Sequence, residues 1–135
     1  MNEEFRMEVP SEPQYVSVAR LAIAGLVSHA KVSEEDIEDI KVCLSEACNS
    51  IIQTPGSRPE EQIDIRCLVT DDGMRLKVQA PNAALDKRMW SKENGMGKMF
   101  VERFMDEVKY SHTWAGNSAI KMVKHFPGKG KEPLH

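Results

Sequence analysis

The sequence has few of the residues that bind zinc or close disulfides. It has 3 cysteines in 135 residues, and no two of them are spaced as a CxxC pair, while its 4 histidines are scattered along the chain. Structural zinc sites need clustered cysteine and histidine ligands, so we expect no zinc site, and we expect no haem site either. Free thiols buried in a protein of the reducing cytoplasm are the interpretation that fits Cys43, Cys48 and Cys67.

Long apolar segments and excess positive charge are also missing. No run approaches the roughly 18–20 apolar residues that a membrane-spanning helix needs. The acidic N-terminus, Met1-Asn2-Glu3-Glu4-Phe5-Arg6, lacks the pattern of a signal peptide. With 18 basic and 21 acidic residues the net charge is −3, whereas domains that coat nucleic acid are usually basic. The sequence therefore predicts a cytoplasmic protein that contacts neither a membrane nor nucleic acid directly.

Length and composition indicate one domain. A chain of 135 residues with 41% hydrophobic and 29% charged residues has ordinary globular composition and is short for two domains. The C-terminal residues mix glycine and proline with lysine. We expect a single domain over residues 1–126 and a flexible tail over residues 127–135.

The first half of the chain has the pattern of a strand followed by two helices. Phe5, Met7 and Val9 alternate with polar residues, which predicts a half-buried strand ending at Pro10. A helix is predicted from about Gln14 to Ala30. Its expected core face consists of apolar residues at steps of three and four, namely Val18, Leu21, Ala22, Gly25 and Leu26.

The second helix is predicted to begin near Ser33. Serine is a good N-cap residue, and the acidic residues at 34–36 suit the positive end of the helix dipole. Its predicted buried stripe comprises Ile37, Ile40, Leu44, Cys48 and Ile51.

The second half predicts a hairpin, a third helix and two closing strands. Residues 63–69 and 74–80 alternate on either side of the turn Asp71-Asp72-Gly73. Strands are also predicted at about 108–113 and 118–126. The third helix opens at residue 95 and is expected to bury Phe100, Phe104 and Val108.

This order, β-α-α-β-β-α-β-β, predicts an α+β fold. Strands joined by hairpins, with the helices gathered separately, are typical of one sheet covered by helices on one face. We therefore expect a two-layer sandwich with a mixed, largely antiparallel sheet.

Two polar residues on the second helix are candidates for catalytic chemistry. Glu46 and Asn49 are three residues apart and share a helix face. A carboxylate and an amide together can hold a hydrated Mg²⁺ or orient a hydroxyl nucleophile. The alternative is that both are solvated polar positions on an amphipathic helix, and spacing alone favours that alternative.

Two further segments accompany the third helix. Glycines at its start, Gly95-Met96-Gly97-Lys98, let backbone N–H groups approach a phosphate, although glycine at a helix entry is often only part of a turn. The segment Met105-Asp106-Glu107-Val108 carries no chemistry that we can derive. We interpret it as structural, placing the helix end against the following strand.

Several short blocks in a fixed order resemble one protein family. The chain is similar, from Phe5 to about Phe126, to the bacterial anti-sigma factor and serine-protein kinase family, a branch of the GHKL (Bergerat-fold) ATPases. The resemblance implies the α+β sandwich already predicted. It rests on Glu8-Val9-Pro10, Pro13-Gln14-Tyr15-Val16, Ile37-Glu38-Asp39-Ile40-Lys41, Ser45-Glu46-Ala47-Cys48, Gly95-Met96-Gly97 and Phe104-Met105-Asp106-Glu107-Val108.

The resemblance implies roles at a nucleotide site. The family's general base, which acts on a serine hydroxyl of an antagonist protein, falls on Glu46, and the phosphate-binding segment falls on Gly95, Met96, Gly97 and Lys98. The family's Mg²⁺-ligating asparagine stands four residues after the base, where this chain has Ser50. Asn49 is one step early, and one step turns a helix by about 100°. Asn49 and Ser50 are therefore the candidate Mg²⁺ and nucleotide ligands.

Three other positions depart from the family pattern. The adenine-reading aspartate corresponds to the segment 79–84, where Asn82 is the candidate and Pro81 removes a backbone donor. The lid, residues 83–94, is shorter than the family's. A threonine of the family's last glycine motif matches Ala119, or Ser118 with a shift. Together these departures predict that Mg-ATP or Mg-ADP binds weakly or not at all.

Two functions of different classes follow. The first is an anti-sigma-factor-like regulator that sequesters a partner protein, a sigma factor, with little or no catalysis. The alternative is an active serine-protein kinase that uses Mg-ATP to phosphorylate an anti-sigma-factor antagonist. The acidic start of the second helix suits a basic partner, and dipole compensation explains it equally well. The resemblance also implies a homodimer formed through residues 5–26.

Overall fold

The structure is a computed structural model that describes residues 2–53, 58–80, 95–112 and 118–126. The order of its strands and helices is the one that the sequence predicts. The elements are β1 (Asn2–Pro10), α1 (Pro13–Val27), α2 (Glu34–Ile52), β2 (Gln62–Thr70), β3 (Gly73–Ala80), α3 (Gly95–Phe104), β4 (Glu107–His112) and β5 (Ser118–His125).

The five strands form one sheet in the order β1-β2-β3-β5-β4. The chain passes from β3 through α3 to the far edge, and β5 then returns between β3 and β4. All four pairings of the described strands are antiparallel, so the predicted α+β sandwich is confirmed with a purely antiparallel rather than a mixed sheet. The two-residue connection between β2 and β3 is typical of antiparallel neighbours.

The helices cover one face of the sheet. Alternate side chains of β2 are buried, from Ile63 to Val69. They pack with the buried stripes of α1 and α2, including Ile23, Ile40 and Leu44, into one hydrophobic cluster. Among the described elements, none covers the opposite face, so the sheet has a core side and an open side.

The predicted start of α2 is confirmed. Ser33 has extended backbone angles, and its hydroxyl oxygen accepts a hydrogen bond from the Asp36 N–H at 3.0 Å. Ile40, Leu44, Cys48 and Ile51 of the predicted stripe are buried, and Ile37 is half-buried.

The predicted core face of α1 is wrong. Val18 and Leu21 are 50% and 70% exposed, and Gly25 is exposed, while Ala22 and Leu26 are half-buried. The helix is apolar on two sides, and the side that meets the sheet is Val16, Ala19, Ile23 and Val27. Despite this apolar character, no helix in the described part of the chain is long and apolar enough to cross a membrane.

The buried face of α3 also differs from the prediction. Val101 is fully buried, and so is Met105 just beyond the helix, whereas Phe100 and Phe104 are only half-buried. The two phenylalanine rings stack with centroids 6.2 Å apart. Lys124 closes this end of the helix, because its Nζ donates to the Phe104 carbonyl at 3.0 Å and lies 4.2 Å from the centre of the Phe104 ring.

The β2–β3 hairpin has its predicted turn. Asp71 and Asp72 connect the strands, and the Asp72 N–H donates to Thr70 Oγ1 at 3.2 Å. A side chain at Gly73 would overlap with the carbonyl oxygen of Lys124 on β5. The glycine therefore allows β5 to approach the start of β3.

The interpretation of residues 105–108 as structural is also confirmed. The Asp106 N–H donates to the Val123 carbonyl at 2.8 Å, and Asp106 Oδ2 accepts from the His125 N–H at 2.6 Å. These two bonds fix the end of α3 against β5.

Candidate functional site

Glu46 lies on the flank of α2. Leu44, Cys48 and Ile51 hold this half of the helix against the sheet and are fully buried. Glu46 and Asn49 lie outside that stripe and are half-buried. The Glu46 carboxylate therefore sits beside the core, where it can meet both solvent and a neighbouring group.

Charged groups converge on Cys43, one turn before Glu46. The pKa of the Cys43 thiol is raised to about 12, mainly by burial, with Asp39 adding to the rise, Lys124 opposing it and Glu46 adding to it. A thiol with this pKa stays protonated near neutral pH and is a poor nucleophile. Sequence reasoning missed Lys124 here, because only the register of β5 brings it to this side of α2.

The Ser50 side chain is buried and bonds to the backbone of its own helix. Its side chain is 2% exposed, and its hydroxyl donates to the Glu46 carbonyl at 2.8 Å. The helical turn of about 100° per residue separates this side chain from that of Asn49. The two candidate Mg²⁺ ligands therefore do not face a common point.

The predicted phosphate-binding segment forms the first turn of α3. The helix begins at Gly95 and includes Met96, Gly97 and Lys98. N–H groups of a first helical turn lack partners within the helix and are suited to an anion. The Lys98 ammonium is engaged one turn further on, where Nζ lies 3.0 Å from the Glu102 carboxylate.

Ser118 lies at the end of the sheet that leads to the predicted adenine segment. It is the first residue of β5, is 1% exposed, and pairs with Ala80, the last residue of β3. Asn82 and the lid, residues 83–94, lie outside the described residues.

The resemblance to the Bergerat-fold ATPases implies a Mg²⁺ ion in this region. No group of three or more His, Cys, Asp or Glu side chains that could hold a metal occurs within the described ranges. Mg²⁺ requires oxygen ligands in near-octahedral geometry. In the described part of α2, only the Asn49 amide offers a side-chain carbonyl oxygen, and Ser50 is committed to its helix. Mg²⁺ is usually held by one or two protein oxygens together with substrate phosphates and waters, so these residues would supply one amide ligand, Asn49, and do not form a protein-only site.

Comparisons with known proteins agree with this fold. Residues 9–124 match the histidine kinase-like ATPase domain. The chain is 33% identical over 133 residues to an anti-sigma F factor of Clostridium novyi, covering 90% of this chain and 93% of that protein. It is 28% identical over 125 residues to the serine-protein kinase RsbW of Listeria monocytogenes, covering 81% and 80%.

Two solved structures share the fold at low sequence identity. One contains the RsbU and RsbW domains of a Mycobacterium tuberculosis protein, with a TM-score of 0.71 at 14% identity over 93% of this chain and 34% of that one. The other is the SiaB–SiaC complex of Pseudomonas aeruginosa, with a TM-score of 0.67 at 13% identity over 88% of both chains. The domain match spans most of the chain and includes the helix that carries Glu46, and the chain belongs to the histidine kinase-like ATPase family.

Proposed function

We propose that this protein is an anti-sigma-factor-like regulator that sequesters a sigma factor in the cytoplasm and binds nucleotide weakly or not at all. The observation that supports the proposal is that the described elements form the family's fold, while a serine stands where the resemblance places an amide ligand. Eight elements enclose one continuous core, whereas Ser50 is buried in its own helix at the place of an amide ligand.

Sequestration needs a complementary surface and no phosphate chemistry. Stable protein interfaces bury roughly 1,200–2,000 Å² in total. The first turn of α2, with Glu34, Glu35 and Asp36, offers negative charge to a basic DNA-binding partner. Relatives named anti-sigma F factor and serine-protein kinase RsbW support a partner of this class.

We predict that the purified protein retains its sigma factor equally well with and without added Mg-ATP. A direct calorimetric titration with Mg-ADP should give no binding at low micromolar concentration, because the Ser50 hydroxyl is a poorer metal ligand than the amide implied at that position. The measurement is capture of sigma factors from the native cytoplasm in both conditions, followed by mass spectrometry.

Glu46→Ala is the matched variant for this experiment. If the protein only sequesters, the substitution should leave retention unchanged and alter the free energy of unfolding by no more than about 1 kcal/mol, because the half-buried Glu46 lies outside the buried stripe of α2. Low-micromolar Mg-ADP binding, or retention only with ATP, would contradict the proposal.

The alternative function is phosphorylation of an antagonist protein by Mg-ATP. The relatives named serine-protein kinase favour it, and so does the half-buried position of Glu46, which suits a general base. In this case phosphoserine should appear on the antagonist and disappear in Glu46→Ala, so the same variant separates the two functions.

The proposal includes a homodimer formed through β1 and α1. Among the described strands β1 lies at the edge of the sheet, with no strand on its outer side, and α1 lies over β1 and β2. Val18 and Leu21 expose apolar side chains on this helix. Gly25 has no atom within 4 Å of where a Cβ would be, so nothing within the described fold requires glycine there. An exposed apolar stripe and a glycine without internal cause are typical of a helix that meets a partner.

We predict that Leu21→Glu converts a dimer to a monomer in sedimentation velocity. The charge would have to be buried in an apolar contact, so the dimer dissociation constant should rise at least about tenfold. Met99→Glu on α3 is the matched control, because Leu21 and Met99 are both 70% exposed. The proposal fails if wild type is monomeric at about 100 µM, near the weak limit for specific pairs, or if both variants dissociate equally.

A further inference from the structure

The open face of the sheet carries a row of basic side chains that crosses all five strands. The registers place Arg6 opposite Arg66, Arg66 opposite Lys77, Lys77 opposite Lys121, and Lys121 opposite Lys109. We call these five residues the basic row. Neighbouring strands are about 4.8 Å apart, so the row spans roughly 19 Å.

Acidic residues balance only one end of the basic row. Arg6 Nη2 lies 3.1 Å from Glu8 and 3.2 Å from Asp64, and Arg66 lies 3.5 Å from Asp64. Within the described residues, no carboxylate forms an ion pair with Lys77, Lys121 or Lys109. Glu107 lies on the same face of β4, two residues from Lys109, and is 3.8 Å from His125. The three lysines of the β3–β5–β4 half therefore make no ion pair within the described residues.

The arrangement is unfavourable for the isolated chain. Like charges directly opposite each other on neighbouring strands repel and destabilise a sheet. The whole chain is acidic, at −3, so the row does not arise from a general excess of basic residues. A solvated sheet face would be more stable with the two signs mixed, as they are around Asp64. The segregated charge therefore points to a ligand outside the chain.

The face is also concave. The strands enclose a shallow groove of about 1290 Å³, which the basic row lines together with Arg75 and the acidic residues Glu4, Asp72 and Glu107. It lies on the side of the sheet opposite α2 and Glu46. A symmetric contact between the same face of two copies is unfavourable, because both would present the same positive charge.

We propose that this groove docks an acidic α-helix of a partner protein, at a surface separate from the α2 flank. Residues three or four apart on a helix lie about 5–6 Å from one another along one face. That spacing matches the strand separation, so successive Glu or Asp side chains of a helix laid across the strands reach successive basic residues. Acidic side chains along an extended strand repeat at about 6.8 Å and would fall out of register.

The test uses the full chain and a synthetic probe. The probe is a dye-labelled, alanine-based helical peptide with Glu at every third or fourth position, and its binding is measured by fluorescence anisotropy. We expect a dissociation constant of about 10–100 µM at about 0.05 M salt, weakened at least tenfold at about 0.5 M because screening shortens the Debye length. A peptide with Gln in place of Glu should not bind.

A double charge reversal on the row, Lys77→Glu with Lys121→Glu, should weaken peptide binding at least about tenfold. The matched control is Lys31→Glu with Arg103→Glu, which makes the same change in net charge at two exposed positions outside the row. Its affinity should change less than about threefold. Equal losses in both variants would overturn the proposal, as would absence of binding at low salt.

A milder double variant and a measurement of thermal stability test the proposal further. If the double reversal fails to fold by circular dichroism, Lys77→Gln with Lys121→Gln replaces it. The single change Lys121→Glu should raise the melting temperature by roughly 2–5 °C, because it relieves repulsion with the lysines on both neighbouring strands, while it weakens peptide binding.

Single-stranded DNA with the same charge as the peptide is the first competing ligand. If it binds more tightly than the peptide, the groove is assigned to nucleic acid. Self-association that Lys77→Glu with Lys121→Glu abolishes would assign it to the acidic α2 of another copy. Either result overturns the proposal, and neither depends on whether the protein binds a sigma factor or nucleotide.

Discussion

Leu44→Ala is expected to lower the free energy of unfolding by about 2–5 kcal/mol, the usual cost of deleting a fully buried leucine side chain. Leu44 is 0% exposed at the centre of α2, among the buried residues of the sheet. Its removal loses the transfer free energy of the side chain and leaves a cavity that α2 and β3 cannot close without moving. Urea denaturation followed by circular dichroism measures the change.

Phe104→Ala is the informative comparison. The sequence pattern assigns Phe104 to the core, where the loss would be about 3–5 kcal/mol. Because its ring is half-buried and contacts Phe100 and Lys124, we expect a smaller loss of about 1–2 kcal/mol. Leu21→Ala should cost no more than about 0.5 kcal/mol. A loss at Leu44 below that at Phe104 would mean that the packing described for α2 and α3 is wrong.

The three cysteines are expected to resist thiol reagents in the folded protein and to react fully once it unfolds. Cys43, Cys48 and Cys67 are at most 1% exposed, and burial raises the pKa of each thiol to about 12. In the native state a reagent cannot reach the buried thiols, and the thiols are protonated and therefore unreactive. They can react only after the fold opens. We expect native rates at least about a hundredfold below those in guanidinium, since the core opens only rarely.

The same pKa values give the stability a pH dependence. A thiol with a raised folded-state pKa stabilises the fold fully below its unfolded pKa of about 9, and this contribution is lost as the pH rises toward 12. The free energy of unfolding should therefore fall by roughly 1.4 kcal/mol per thiol for each pH unit in that window. Cys67→Ala should reduce the slope by the contribution of one thiol, about 1.4 kcal/mol per pH unit. One thiol reacting at the rate of free cysteine at pH 7 would refute the burial argument.

Features set by neighbouring residues were predictable from the sequence. Ser33 begins α2 because its side chain caps residues three positions away, and Asp71-Asp72-Gly73 turns the chain within a few residues. Strand alternation gives the buried side of β2, because side chains of a strand point to opposite faces in turn. The order of the elements and the α+β class follow from these local patterns.

The candidate site was predictable only in part. The resemblance selects Glu46, and the structure places it on the flank of α2 as a half-buried side chain. The spacing argument shows that Asn49 and Ser50 face different directions. It does not show that Ser50 is buried and bonded to the Glu46 carbonyl, which depends on how deeply α2 packs into the sheet.

The tertiary structure alone decided which side of each ambiguous helix is buried. α1 is apolar on two sides, so periodicity cannot choose between Val18 with Leu21 and Ala19 with Ile23. The choice depends on contacts with β1, β2 and α2, which are distant in sequence. In α3 the same kind of long-range contact buries Val101 and leaves Phe100 half-buried.

The register of the strands determined where the charged side chains lie. Lys77, Lys109 and Lys121 do not stand out in the sequence, and only the order β3-β5-β4 brings them into one row. Lys124 reaches Phe104 and the Cys43 side of α2 for the same reason. Local patterns fix what each segment becomes, because capping, turns and alternation act over a few residues. Which segments meet is fixed by pairing between strands far apart in the chain, and that pairing places the charges of this protein.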